Sequence, residues 1–216
     1  VESDAHREGE DLDQLVAWAA GARTALDVAT GGGHVARRLR EAGLEVVTSD
    51  PAPGMRPDVV SRAESLPFAD GAFDVVACRT AAHHFADVLS AVKEMARVSK
   101  ERVVICDNTF VSESAEEADR LRDPSHVRNY GVPEWHTFFE LAGLEVTDIE
   151  DLRPHYPPTL RHWSKRLEAH REAAIAAAGP ERYRIWRLYM PGMAYAFGRG
   201  FLSVAQVLAM KPRKEG

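Results

Sequence analysis

The sequence predicts an α/β fold, a doubly wound, mostly parallel sheet of seven strands whose last strand runs antiparallel. Three observations carry this expectation. Residues 25–33 (ALDVATGGG) read as a buried strand that ends in an aspartate-led glycine turn and opens a helix near His34. Residues 44–50 (LEVVTSD) read as a second strand ending in an acid, 23 residues beyond Asp27. FDVVAC and RVVICD, at 73–78 and 102–107, are strong apolar strands separated by an amphipathic helix. A strand, a glycine turn, a helix and a strand with a terminal acid form the nucleoside-binding half of a doubly wound sheet.

The elements follow in order. Leu12, Leu15, Val16 and Ala19 mark one face of a first helix, and Gly21 stops it. Strand one spans about 24–29. Helix two runs from 33 to 42 with Val35 and Leu39 inward, and Gly43 ends it. Strand two is 44–49. The cluster Pro51-Ala52-Pro53-Gly54 is a turn, and 58–61 is a short third strand. A parallel crossover normally takes a dozen or more residues, usually with a helix. Only residues 51–57 are available here, so that helix is expected to be missing or reduced to a turn. Strand four is 73–78, a helix covers 86–98, and strand five is 102–107. Pro133 starts a helix whose inner face is Trp135, Phe138, Phe139 and Ala142, and Gly143 stops it. Strand six is 144–150.

Composition shifts at 155–197, which is rich in His, Arg, Trp, Tyr and Ala. Thr159 is read as the cap of a helix carrying Leu160, Trp163 and Leu167. A second helix from Pro180 carries Tyr183, Trp186 and Tyr189 or Met190. The last strand is 201–210, pairing antiparallel with strand six. The reading is therefore one domain over 1–216 with a helical lid inserted at about 155–197, between the last two strands. Insertions of that kind build lids or acceptor pockets.

The chain has 216 residues, 45% apolar and 28% charged, with formal net charge −6. That balance argues against a broad nucleic-acid-binding surface. No apolar run approaches the roughly 18 residues of a membrane span. The N-terminal stretch VESDAHREGE is polar, unlike a signal peptide. Cys78 and Cys106 fall in central strands and read as buried reduced thiols, which makes a cytoplasmic protein the expectation. Neither has the spacing of a zinc site, so no metal is expected.

The candidate site gathers at the carboxyl ends of the strands. Gly31 and Gly33 let the backbone approach a ligand closely. The dinucleotide pattern G-x-G-x-x-G fails, because Ala36 stands at its third position. An aspartate inside the first strand with a compact glycine turn fits S-adenosylmethionine better. Asp50 suits the two hydroxyls of a ribose, although a turn acid or helix cap would look the same. In 62–74 (RAESLPFADGAFD) the backbone at Ala63 or Glu64 falls where an adenine edge would lie. In 79–85 (RTAAHHF), His83 and His84 read either as packed histidines at a helix start or as contacts to the methionine tail and acceptor. A histidine there suits proton removal from an acceptor. Asp107 is a further polar candidate at the same edge. The loop 121–130 (LRDPSHVRNY) adds Asp123, His126 and Arg128, as a solvated loop or as the border of the acceptor site. Arg161, Lys165, Arg166, Arg182, Arg184 and Arg187 make the insertion locally basic.

The stretches ALDVATGGGHVARRL, VVTSDPAPGM, AESLPFADGAFDVVACRTAAHHFADV and RVVICD occur in order over about 22–110. On these the chain resembles the class I S-adenosylmethionine (SAM)-dependent methyltransferases, whose sheet is Rossmann-like, in particular the ubiquinone/menaquinone-biosynthesis-like "methyltransferase type 11" group. The resemblance implies that residues 27–33, including Asp27, Ala29, Thr30, Gly31 and Gly33, hold the methionine part. It implies that Asp50, with Pro51 beside it, holds the ribose and that Ala63 and Glu64 hold the adenine. Arg79 through His84 would lie under the sulfonium. An acid often precedes the Ala-Glu pair in such proteins; here Arg62 stands there.

The expected function is methyl transfer from SAM to a small-molecule acceptor, with His83, His84 and His126 as candidate bases and no nucleic-acid partner or membrane span. Acceptor identity, methylated atom and oligomeric state stay open. A non-catalytic SAM-binding or partner protein is the alternative reading. A nicotinamide-dependent oxidoreductase is a weaker one.

Overall fold

The computed structural model describes residues 10–110 and 130–212. Apolar alternation in the central strands sets the layering, because successive side chains leave a strand on opposite faces. Strands β1 (Thr24–Val28), β2 (Glu45–Asp50), β3 (Val59–Val60), β4 (Phe73–Arg79) and β5 (Ser99–Phe110) run parallel to one another. With β6 (Glu145–Asp151) and β7 (Leu202–Met210) they form one sheet in the order β3-β2-β1-β4-β5-β7-β6. β7 is antiparallel to both β5 and β6.

Leu26, Val28, Val76, Cys78, Val103 and Ile105 project to one face. They pack there with Val92 and Met95 of α3 (Val88–Val98) and with Trp135 and Phe139 of α4 (Val132–Leu141). Ala25, Val75, Ala77 and Val104 project to the other. They meet Leu12 and Leu15 of α1 (Glu10–Trp18) and Val35 and Leu39 of α2 (His34–Glu41). Burying a side chain such as Leu39 contributes about 2 kcal/mol.

The connection from β2 to β3 carries no α-helix, only a single 3-10 turn at Pro53–Met55. Asp58 takes over part of the missing support. Its carboxylate accepts from the Thr48 amide at 2.9 Å and the Thr48 hydroxyl at 2.8 Å, tying the entry of β3 to β2.

Three helices occupy the link between β6 and β7: α5 (Tyr156–Ala169), α6 (Arg171–Ala178) and α7 (Pro180–Gly198). α6 separates the two helices expected from sequence. The expected cap at Thr159 is corrected, because α5 begins three residues earlier with prolines in its first turn. Proline suits that position, where its missing N–H costs nothing. The Thr159 hydroxyl instead donates to the His155 carbonyl at 2.8 Å. Leu160, Ala194 and Phe197 pack with Cys106, Leu152 and Val204, so the helices seat against β5 and β7. Tyr156 stacks on Phe197 with ring centroids 4.6 Å apart.

Candidate active site

The switch in strand order between β1 and β4 opens a crevice outside their carboxyl ends. Asp27, next to last in β1, is buried. One of its oxygens accepts from the Thr30 hydroxyl at 2.6 Å and from the Ala36 amide, in the first turn of α2, at 3.1 Å. Burial pushes its carboxyl up to about 6, outweighing the opposite pull of those two bonds. Asp27 thus fixes the turn to the helix it opens. Ala29 (φ 55°), Gly31 (φ 49°) and Gly33 (φ 72°) all take left-handed backbone in that turn. A Cβ added at Gly31 or Gly33 would meet nothing within 4 Å, so the turn faces open space. At Gly32 it would come within 2.9 Å of the His34 ring.

Asp50 ends β2 and is likewise buried. Its carboxylate accepts from the Gly31 amide at 3.0 Å and from the Ala52 amide at 2.8 Å, so it clamps the glycine turn to the tip of β2. Each oxygen retains a further lone pair for a hydroxyl donor. Pro51 is exposed beside it. The Ser61 amide donates to the Asp50 carbonyl at 3.2 Å, and the Ser61 hydroxyl is buried without a partner among the described residues.

Ala63 is buried in the apolar core. The Glu64 carboxylate accepts from the Ala86 and Asp87 amides at 2.9 and 3.3 Å and from Arg62 at 3.3 Å. Arg62, at the position of the usual acid, is therefore a local partner of Glu64. The following segment is held by α3. Arg97 donates to the Leu66 and Phe68 carbonyls at 2.9 and 2.8 Å, and Glu94 accepts from the Leu66 amide at 2.9 Å.

At the tip of β4 the Arg79 guanidinium bonds Asp11 of α1, both side chains nearly buried. Thr80 then adopts φ 54°, strained for a β-branched residue, with its amide on the Cys106 carbonyl at 2.7 Å. The chain turns through a 3-10 turn at Ala82–His84. There His83 is buried against Asp107 of β5: Nδ1 lies 2.6 Å from Oδ1, and the His83 amide donates to Oδ2 at 2.8 Å. His84 is exposed, its ring centroid 4.1 Å from that of His83. Cys78 and Cys106 are buried thiols pushed up by burial, so neither is a ready nucleophile.

The structure thus gathers Asp27, Ala29, Thr30, Gly31, Gly33, Asp50 and Pro51 around one turn. Arg79, His83 and His84 sit at the neighbouring strand tip, with Ala63 and Glu64 leading toward it. Asp123, His126 and Arg128 lie outside the described residues. Asp11 is the participant that sequence reading missed. An acid in a helix's first turn gives no sign of a partner on a distant strand. Among the described residues no group of three His, Cys, Asp or Glu side chains could hold a metal, and no helix is long and apolar enough to cross a membrane.

Two family models match this chain. A methyltransferase-domain model covers residues 26–106, and a mycolic acid cyclopropane synthetase model covers 68–207. The chain is similar to the uncharacterized methyltransferase YcgJ of Bacillus subtilis (strain 168), at 35% identity over 184 residues, 74% of this chain and 72% of that one. It is 51% identical over 75 residues to a probable fatty acid methyltransferase of Pseudomonas putida, a match spanning 35% of this chain and 19% of that protein's length. Its fold is shared with a Haemonchus contortus phosphoethanolamine N-methyltransferase 2 solved with S-adenosylhomocysteine. That match has a TM-score of 0.81 at 19% identity and covers 94% of this chain and 52% of that one. The chain belongs to the class I SAM-dependent methyltransferases.

Proposed function

We propose that this chain binds SAM outside the carboxyl ends of β1, β2 and β4 and methylates a small-molecule, lipid-like acceptor. The observation that carries the reading is the meeting, at one sheet edge, of the Asp27 turn, the Asp50 clamp and the His83–Asp107 pair. The donor set fits the cofactor. Open space beside Gly31 and Gly33 admits a ligand chain, the spare lone pairs of Asp50 suit ribose hydroxyls, and the orphaned Ser61 hydroxyl waits at the same edge. Ala63 and Glu64 supply the backbone for adenine. Arg79 through His84 would lie under the sulfonium, with the Arg79 guanidinium already paired to Asp11.

Bound there, SAM supplies an electrophilic methyl group, and the hard chemistry is the cofactor's. The chain's own task is alignment and exclusion of water. Where the attacking atom carries a proton, His83 takes it, with His84 and His126 as further candidates. Asp107, an acceptor-only carboxylate, keeps the His83 proton on Nδ1 and leaves Nε2 as the basic atom. Helices α5–α7 serve as the lid over the acceptor, with α5 and α7 seated against β5 and β7. The lipid-like character of the acceptor is supported by the fatty acid methyltransferase of Pseudomonas putida and by the cyclopropane synthetase model. Cytoplasmic residence, where the two thiols stay reduced, belongs to the same proposal.

The test is turnover with isotopically labelled SAM against a panel of fatty acids, phospholipids and water-soluble amines and phenols. Labelled product from an acyl-bearing acceptor is the expected result. Product only from the water-soluble acceptors contradicts the lipid-like assignment. No product from any, with SAM bound, favours the non-catalytic reading.

A further inference from the structure

We infer that the outward face of α7 docks this protein on an anionic lipid surface. The inward face of the helix is accounted for: Tyr183, Ala194 and Phe197 are buried. On the opposite side Ile185, Leu188 and Tyr195 recur at spacings of three and seven, which puts them on one helical stripe. They are 58%, 78% and 62% exposed. Phe201, just beyond the helix, is exposed as well, its ring 6.5 Å from that of Tyr195. Large apolar side chains aligned at such exposure mark a contact surface.

The charge around the stripe chooses the partner. Residues 155–201 hold eight Lys and Arg against three Glu, in a chain whose net charge is −6. The segment is therefore net positive in a chain that is net negative. Arg184 and Arg199 flank the stripe, Glu181 stands at its N-terminal end, and Arg199 lies 5.9 Å over the Tyr195 ring. Arg187 is paired with Glu168 at 2.6 Å, whereas Arg182 and Arg184 make no salt bridge among the described residues. A second copy of the chain would set these arginines against one another, which disfavours self-association through this face. An aliphatic and tyrosine stripe edged by arginine is the composition of a helix lying in a membrane interface. There Leu188 and Ile185 enter the acyl boundary, Tyr195 sits at headgroup depth and the guanidinium groups meet lipid phosphates. This docking needs no bound cofactor, so it stands or falls apart from the methyltransferase reading.

The experiment is flotation of the full chain with phosphatidylcholine vesicles, with and without roughly a third phosphatidylglycerol. It is repeated with Leu188→Glu and Arg184→Glu, both substitutions at exposed positions. The expected result is binding to the phosphatidylglycerol vesicles that weakens with salt, and a fall of about tenfold or more for each variant while the circular dichroism melt is unchanged. Absence of binding to those vesicles would overturn the proposal, as would equal binding by both variants. Two further outcomes also overturn it. One is a dimer in light scattering that Leu188→Glu dissolves, which assigns the face to a second copy. The other is capture of soluble poly-glutamate without vesicle binding, which assigns it to an acidic protein.

Discussion

Both oxygens of the Asp107 carboxylate meet His83, and Oδ1 also accepts from the Asn108 amide at 2.8 Å. Oδ1 lies 2.6 Å from the His83 imidazole Nδ1, and Oδ2 accepts from the His83 backbone amide at 2.8 Å. The amide bond fixes the residue and the ring bond fixes the tautomer, so side chains from the tips of β4 and β5 act as one unit. In the proposed mechanism Asp107 is a positioning residue, because it works through His83.

For an acceptor that must lose a proton, His83→Ala is expected to lower turnover by about 10²–10⁴-fold, the usual worth of a general base. Asp107→Asn should cost nearly as much, because an amide that offers its NH₂ to Nδ1 selects the wrong tautomer. The double variant should be no slower than His83→Ala. A pH–rate profile separates this from structural damage. The histidine limb should disappear in His83→Ala, whereas uniformly reduced rates with an unchanged profile would contradict the assignment.

Asp27 is buried, and its carboxyl is pushed up from 3.8 to about 6. A group whose folded value is raised contributes stability that is fully present below the unfolded value and is lost as pH rises through the folded one. The window here is pH ~4 to ~6, and the difference amounts to about 3 kcal/mol. Asp27→Asn removes this term. The stability gap between variant and wild type, from urea unfolding, should therefore shift in the variant's favour as pH rises from 4 to 7. A gap independent of pH would mean that Asp27 is not held up by burial.

Asp50 clamps the glycine turn, and in the proposed SAM site it also accepts from ribose. Asp50→Asn preserves shape and one acceptor oxygen, and SAM affinity should fall by about tenfold or more. Asp50→Ala should lose more affinity and also about 1–3 kcal/mol of stability, since the Gly31 and Ala52 amides lose their partner. Calorimetric titration and thermal melts measure the two effects separately. Unchanged affinity in both variants would sink the ribose assignment.

Ala29 occupies left-handed backbone at φ 55°, where glycine would be relaxed. Ala29→Gly should stabilise the fold by roughly 0.5–1 kcal/mol, because strain relief exceeds the entropy that glycine adds to the unfolded chain. A lower melting temperature would show that the methyl group packs usefully in the turn.

Local pattern carried much of this structure. The strand LDV, its glycine turn and the acid at Asp50 are contiguous signals, and the missing helix after β2 followed from counting the residues available. What pattern could not carry was pairing at long range. Asp107 was visible as a polar residue at a strand end, but its partnership with His83 exists only because β4 and β5 are neighbours. The Arg79–Asp11 pair depends on α1 lying across the tip of β4. The extra helix α6 escaped because REAAIAAA lies on the surface with no buried residue, so it has no apolar stripe to read. Thr159 misled because a threonine before an apolar run imitates a cap, whereas the prolines ahead of it already belong to the helix.

The account rests on a SAM site at the crevice between β1 and β4, and one titration tests it most directly. The purified chain is titrated calorimetrically with SAM, with its demethylated product S-adenosylhomocysteine, and with NADH. Saturable binding of the two SAM-type ligands, weakened by Asp50→Asn, and no heat from NADH is the predicted result. No binding of either SAM-type ligand, or selective binding of NADH, would contradict it.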